Sequence, residues 1–255
     1  MTLKVTAFAV PGIPLIKPGD DLAHLLIGLV EIKEHDTIVV SSTIVSKSEK
    51  RIVALNKLKV TERAKNIAKL NNIDPRFVQA VLDESDEIFL EHPFLLTLKK
   101  GGGICVNAGI DHSNVEGNEN ILLLPEDPDE SAREIKDSIF KLTGKKVSVI
   151  ITDTNGRAFR MGQTGAAIGI AGIKATRDWR GTKDLFGKVL EVKNEGVVDE
   201  IAGFANIMMG EGDGGTPVAI IRGLGLYDES YGIKDLYRPE NEDVIRRALV
   251  KARST

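Results

Sequence analysis

Three polar, glycine-rich segments carry the side chains able to do chemistry. Residues 101–114 hold Asp111, His112 and Ser113 behind three consecutive glycines; residues 152–162 hold Thr152, Asp153, Thr154, Arg157 and Arg160; residues 209–217 hold Glu211, Asp213 and Thr216. Each follows an apolar stretch, which places its polar groups in a loop aimed by a rigid element. Carboxylates and hydroxyls without thiols are the donor set of hard divalent cations. Mg²⁺ and Mn²⁺ take one or two carboxylates and complete their shell with phosphate oxygens and water. Glycine lets backbone N–H groups close on a phosphate with no Cβ in the way. The chemistry indicated is metal-assisted work on a phosphorylated substrate. Asp, Asn and Gly also build ordinary turns, and spacing alone does not bring the three segments together.

Two further segments bear on such a site. Residues 10–19 contain Pro11, Pro14 and Pro18 with Gly12 and Gly19, a stiff loop with free backbone donors and acceptors. Residues 37–46 are rich in β-branched side chains and read as one buried strand. Alternation along it puts Ser41, Thr43, Val45 and Lys47 on one face, with the lysine at the strand end where it can meet a phosphate. No glycine-rich loop ends in Gly-Lys-Ser/Thr, and the glycines of 210–215 follow a helix pattern, so neither the Walker A loop nor the dinucleotide fingerprint is present. His24, His35, His92 and His112 lie scattered, and none pairs with Cys105 at metal-ligand spacing. His24 reads as structural, on an amphipathic helix. Cys105, between Ile104 and Val106, reads as a small buried apolar residue. His112 stands out only for its place beside Asp111.

The elements that must position these groups are mixed. A helix is expected from Asp20 and Asp21, with Leu22, Leu25, Leu26, Leu29 and Val30 on one side, and another from Thr61. A third begins at Asp74, which caps, with Pro75 in the first helical position. Residues 121–124 read as a strand. Residues 126–130, the one stretch resembling a linker, lead into a helix carrying Ile135, Ile139, Phe140 and Leu142 and closed by Gly144. Residues 147–152 form a buried strand. Val197, Val198, Ile201, Phe204, Ala205, Met208 and Met209 form a helical apolar face, and residues 217–221 a late strand. Without a strict βαβ rhythm, the fold class expected is α+β: mixed sheets with packed helices, residues 1–255 forming one catalytic unit of two intimately associated, interleaved subdomains.

Composition narrows the partners. The chain has 255 residues, 42% of them hydrophobic, with 34 basic and 37 acidic side chains well mixed along it. No basic stripe marks a nucleic-acid partner. No apolar run reaches the ~18 residues of a membrane span, and the N-terminal apolar stretch breaks at Pro11, too early for a signal peptide. A single cysteine fits a reducing compartment, and a cytoplasmic location is expected.

Read together, the motifs resemble the coenzyme F420-0:gamma-glutamyl ligases of archaea. The match is carried by 12–15 (GIPL), 41–47 (SSTIVSK), 106–114 (VNAGIDHSN), 150–157 (IITDTNGR), 178–187 (DWRGTKDLFG) and 209–214 (MGEGDG), and runs from Pro11 to about Arg247. The resemblance implies a GTP-dependent ligase that adds one or two γ-linked L-glutamates to F420-0, a deazaflavin bearing a lactyl phosphate, through an acyl phosphate. It implies GTP contacts at Gly12, Ile13, Pro14, Leu15, Ser42, Thr43, Lys47 and Asn114. It also implies one divalent cation, Mn²⁺ or Mg²⁺, on Asp111 and Asp153, and a second near Thr154 and Glu211. Asp153 and Lys47 are the expected catalytic pair, with potassium as a monovalent cofactor and a homodimer as the assembly. An amide can be made this way with no protein nucleophile, because alignment and charge shielding carry the rate. Arg157, Arg160 and Arg177 are candidates for anionic substrate groups, since guanidinium pairs with carboxylate or phosphate bidentately. Two readings compete: a metal-dependent phosphohydrolase or phosphotransferase using the same carboxylates, and a nucleotide-binding protein without turnover.

Overall fold

The computed structural model describes residues 4–253. The first three residues of the N-terminal apolar stretch, and the last two of the expected 1–255 unit, lie outside them. The chain runs β1 (Thr6–Ala9), α1 (Leu22–Leu29), β2 (Thr37–Ser41), α2 (Ser42–Ser48), β3 (Ile52–Ala54), α3 (Glu62–Asn71) and α4 (Pro75–Asp83). Next come β4 (Ser85–Leu90), β5 (Leu96–Lys99), β6 (Ile104–Val106), β7 (Asn120–Leu122) and α5 (Pro128–Thr143). It closes with β8 (Ser148–Gly156), β9 (Gln163–Ala171), β10 (Arg177–Asp178), β11 (Asn194–Glu195), α6 (Val197–Met209), β12 (Val218–Arg222) and α7 (Val244–Arg253). Parallel and antiparallel strands mix with helices, so the fold is α+β, as the sequence implied.

The main sheet has the order β1-β12-β2-β8-β9, antiparallel except where β2 lies parallel to β8. Its inner strands are near-continuous apolar runs because both faces are covered. Ile38, Val40, Val149, Ile151 and Ile220 point to one side and pack with α1 and α5. Val39, Ile150, Ile170 and Ile221 point to the other and pack with α6. A third core, built from α3, α4, β3 and β7, is contributed by residues between Leu55 and Leu123 and so lies between α2 and α5 in sequence. The two-stranded β3-β7 and three-stranded β4-β5-β6 sheets fall in the same stretch.

The capping residues do what their types dictate. The Asp21 carboxylate accepts from the His24 N–H, Thr61 from Ala64, Asp74 from Arg76 and Asp127 from Glu130, while Pro75 and Pro128 occupy first-turn positions. Gly144 ends α5 at φ 70°. The buried faces are narrower than the apolar pattern suggests: Phe140 and Leu142 of α5 and Phe204 of α6 are half exposed, and His24 faces solvent on α1. A full turn of apolar side chains is more than one sheet face can cover.

The edge strand β9 is sealed by helix carboxylates: Asp129 of α5 accepts from the Ile170 N–H (2.7 Å) and Asp199 of α6 from the Ala167 N–H (2.9 Å). That occupies donors a bare edge would offer to another chain. The close docking of α5 depends on Gly169, where an added Cβ would stand 2.3 Å from the Pro128 carbonyl carbon and oxygen. Backbone cannot step aside as a side-chain tip does. Gly169→Ala is therefore expected to destabilise the fold by about 2–4 kcal/mol. An unchanged denaturant midpoint in an urea titration would contradict this packing.

Candidate functional site

At the C-terminal end of the parallel β2-β8 pair lies a cleft of about 800 Å³. Five stretches far apart in sequence wall it: 13–16, the β2-α2 junction with Lys47, 105–114, the end of β8, and the end of α6 with the loop after it. The segments singled out from sequence thus meet in space, although several are not the loops expected.

The run 37–46 is not one strand. Pairing with β8 stops at Ser41 opposite Thr152, and Ser42–Ser48 turn into α2. Tertiary pairing overrides the β-propensity of Thr43, Ile44 and Val45. On a helix, Thr43 and Lys47 are four apart and share the face toward the cleft, whereas Val45 is buried in the core. Ser42 lies behind that face, where its hydroxyl donates to Asp153 Oδ1 (2.8 Å).

Residues 152–156 are not loop either. β8 continues through Gly156, paired with β9, after a bulge at Ile151 and Thr152. Asp153 and Thr154 are consecutive strand residues and point to opposite faces. Asp153 faces α2; the Thr154 hydroxyl donates to Glu211 Oε1 (2.8 Å), beyond the end of α6. Asn206, one turn before that end, donates to the same oxygen (2.7 Å). Within 101–114, β6 is a strand, and Asp111 bridges Leu122 through the backbone. The Asp111 carboxylate is oriented by the Ser113 N–H and hydroxyl, both at 2.7 Å.

Not every candidate reaches the cleft. Ile13, Pro14, Leu15, Thr43, Lys47, Asp111, Asn114, Asp153, Thr154 and Glu211 line it. Gly12, with φ 79°, precedes the lining segment and stays outside. Arg157 and Arg160 sit on the β8-β9 turn, whose flanking residues Gly156 and Gln163 do line the cleft. Arg177 is carried away on β10, 3.7 Å from Glu195 and over the Trp179 ring. His112 stacks on Phe77, ring centres 4.5 Å apart, and takes no part. Cys105 is only half buried and lines the cleft, in contrast to its apolar reading. Its thiol stays inert: burial pushes it up to about 11, leaving no thiolate to act as nucleophile. Asn155, Gln163 and Asn206 line the cleft without having been picked out by residue type. Only the position of Asn206 on the last turn before a glycine-rich loop hinted at its role.

Electrostatics sharpen the picture. Burial raises the Asp153 carboxyl to about 6, with the charges of Asp111 and Glu211 adding to the rise and the Ser42 hydroxyl and Thr154 N–H opposing it. Lys47 is half buried, and among the described residues its ammonium makes no ion pair or hydrogen bond. Burial holds it below the usual lysine range, against the pull of Asp111. Among the described residues no three His, Cys, Asp or Glu side chains gather tightly enough to hold one metal ion by themselves. What the cleft offers is carboxylates singly or in pairs with hydroxyls beside them, mutually repelling and short of positive charge. That fits hard divalent ions that finish their shells with phosphate oxygens and water.

The family model for F420-0:Gamma-glutamyl ligase matches residues 12–223. The chain is 53% identical to a coenzyme F420:L-glutamate ligase of Archaeoglobus fulgidus, over 97% of this chain and 98% of that one. It is 52% identical to the ligase of that name from Methanosarcina mazei, over 97% of each, and 48% identical to that of Haloarcula marismortui, over 95% and 96%. The similarity spans every segment that walls the cleft, the catalytic candidates included. By sequence from end to end, this chain belongs to the F420-0:gamma-glutamyl ligase family.

Proposed function

We propose that this protein is a GTP-dependent ligase that joins L-glutamate, γ-linked and once or twice, to coenzyme F420-0. The observation that carries this reading is the convergence of Lys47, Asp111, Asp153, Thr154 and Glu211 on one cleft whose cysteine, Cys105, is kept protonated by burial. An enzyme that acylated itself would need an activated nucleophile; one that activates the carboxylate with nucleotide does not.

A carboxylate oxygen of F420-0 attacks the γ-phosphorus of GTP, the bond to GDP breaks, and an acyl phosphate forms. The amine of glutamate then attacks the acyl carbon, phosphate leaves, and the nitrogen gives up a proton as the amide forms. Lys47 holds phosphate oxygens, and Thr43 and residues 13–15 line the nucleotide's path, with Gly12, Ser42 and Asn114 in support. Asp153, fixed by Ser42, and Asp111, fixed by Ser113, would hold one divalent ion; Thr154 and Glu211, fixed by Asn206, would hold a second. Mn²⁺ or Mg²⁺, if held there, would supply charge shielding for phosphoryl transfer. Potassium as a third cation rests on family membership. A homodimer is supported by the arm between β10 and β11, where Leu185, Phe186 and Val192 stand bare to solvent. Among the described residues no helix is long and apolar enough to cross a membrane.

Mass spectrometry of F420-0 incubated with the protein, GTP, L-glutamate and Mn²⁺ tests the reading, each component being omitted in turn. A product heavier by one or two glutamyl residues and dependent on GTP and metal is expected. GTP hydrolysis with no glutamyl transfer would assign the cleft to a phosphohydrolase.

A further inference from the structure

The β8-β9 turn places two large apolar side chains where folding gives them no use. Phe159 and Met161 are fully exposed, and Phe159 holds a left-handed backbone (φ 59°), a conformation aromatic residues rarely adopt. Arg157 and Arg160 alternate with them, and among the described residues neither guanidinium has an ion-pair partner. The turn rises directly from the cleft edge, since Gly156 and Gln163 at its base line the cavity. Glu211 and Asp213, on the loop after α6, line the same cleft, and Glu211 accepts from Thr154 on β8.

We propose that this turn is the recognition platform for the ring end of the acceptor: Phe159 and Met161 cover the face of a flat fused aromatic system, and Arg157 and Arg160 meet the anionic chain joining it to the reacting carboxylate. The inference deepens the ligase reading and rests on it. Size sets the geometry. Sites for compact ligands occupy about 300–1,000 Å³, so a cleft of about 800 Å³ holds one nucleotide-sized ligand. The acceptor must reach the γ-phosphate with its carboxylate, and its ring lies at the far end of the molecule. The ring therefore comes to rest at the rim. Aromatic stacking there with adjacent guanidinium contacts suits an anionic ring-bearing substrate.

The test compares the unmodified protein with the Phe159→Ser/Met161→Ser double variant. KM for F420-0 is expected to rise about tenfold to a hundredfold, the scale on which aromatic stacking holds a base. KM for GTP and for glutamate should stay within about twofold. A ring-less acceptor, 2-phospholactate methylated on its phosphate and with its carboxylate free, should be used equally by both proteins. An unchanged KM for F420-0 in a variant melting at the normal temperature would overturn the platform and leave the ligase reading standing. So would a change of oligomeric state on sedimentation with KM unaltered, which would make the turn a contact between copies. Absence of glutamyl transfer by the unmodified protein would overturn both.

Discussion

Replacing Asp153 by asparagine is expected to abolish glutamyl transfer and, in the metal-free protein at neutral pH, to raise stability. The two effects share one cause. Burial raises the carboxyl to about 6 from an ordinary 3.8, and the nearby charges of Asp111 and Glu211 add to the rise. An acid whose folded value lies above its unfolded one contributes stability that is complete below the unfolded value and lost as pH rises through the folded value. A shift of that size corresponds to roughly 3 kcal/mol, lost between about pH 4 and 6. Asparagine cannot ionise, yet it keeps an oxygen for the Ser42 hydroxyl. Thermal melts in chelator should therefore coincide below pH 4 and separate by several degrees above pH 6, the variant being higher. Saturating Mn²⁺ should reverse the order, because only the native site gains binding energy. Turnover should fall by about a thousandfold or more. Coincident melts across the whole pH range, or normal turnover in the folded variant, would remove Asp153 from the site.

That the same residue was picked out from sequence shows what is legible there and what is not. The capped helices were readable because Asp21, Thr61, Asp74, Asp127 and Gly144 act through contacts within four residues of themselves. The segments that meet in the cleft were readable because polar, glycine-bearing stretches after apolar runs are a local signal. Element boundaries at the site were not. Residues 43–45 carry β-branched side chains and turn helical because β8 pairs with β2 only as far as Ser41. Residues 152–156 have turn composition and remain a strand because β9 runs alongside them. Both outcomes are decided by a partner more than a hundred residues away or by a strand still to come. The supporting bonds from Ser42 to Asp153 and from Asn206 and Thr154 to Glu211 are equally non-local. Arg177 marks the reverse case: its type suits an anion, and its strand carries it elsewhere. Family likeness supplied the acceptor and the expectation of a nucleotide, which no side-chain pattern specifies.

Lys47→Met is the second change expected to have a large effect, and it separates a substrate contact from a structural one. The lysine lies in the last turn of α2, where a cation favours the helix C-terminus by about 0.3–1 kcal/mol. If that were its whole purpose, methionine would lower the melting temperature slightly and leave kinetics alone. The surroundings argue otherwise. Its ammonium is half buried in the cleft, held below the usual lysine range by that burial, and joined to nothing among the described residues. A cation kept partly desolvated and unpaired is poised for an anion that arrives with substrate, and under the proposed function that anion is the phosphate of the nucleotide. In the variant kcat/KM for GTP should fall by about a hundredfold to a thousandfold, the scale on which a charge-assisted contact to a transferring phosphoryl group acts. KM for glutamate should hardly move, and stability should be equal or slightly higher once the buried charge is gone. Lys47→Arg should recover part of the loss, since it restores charge without the compact ammonium. A normal kcat/KM for GTP in Lys47→Met, with only the melting temperature lowered, would return this lysine to the helix and leave the phosphates to the glycine-rich backbone alone.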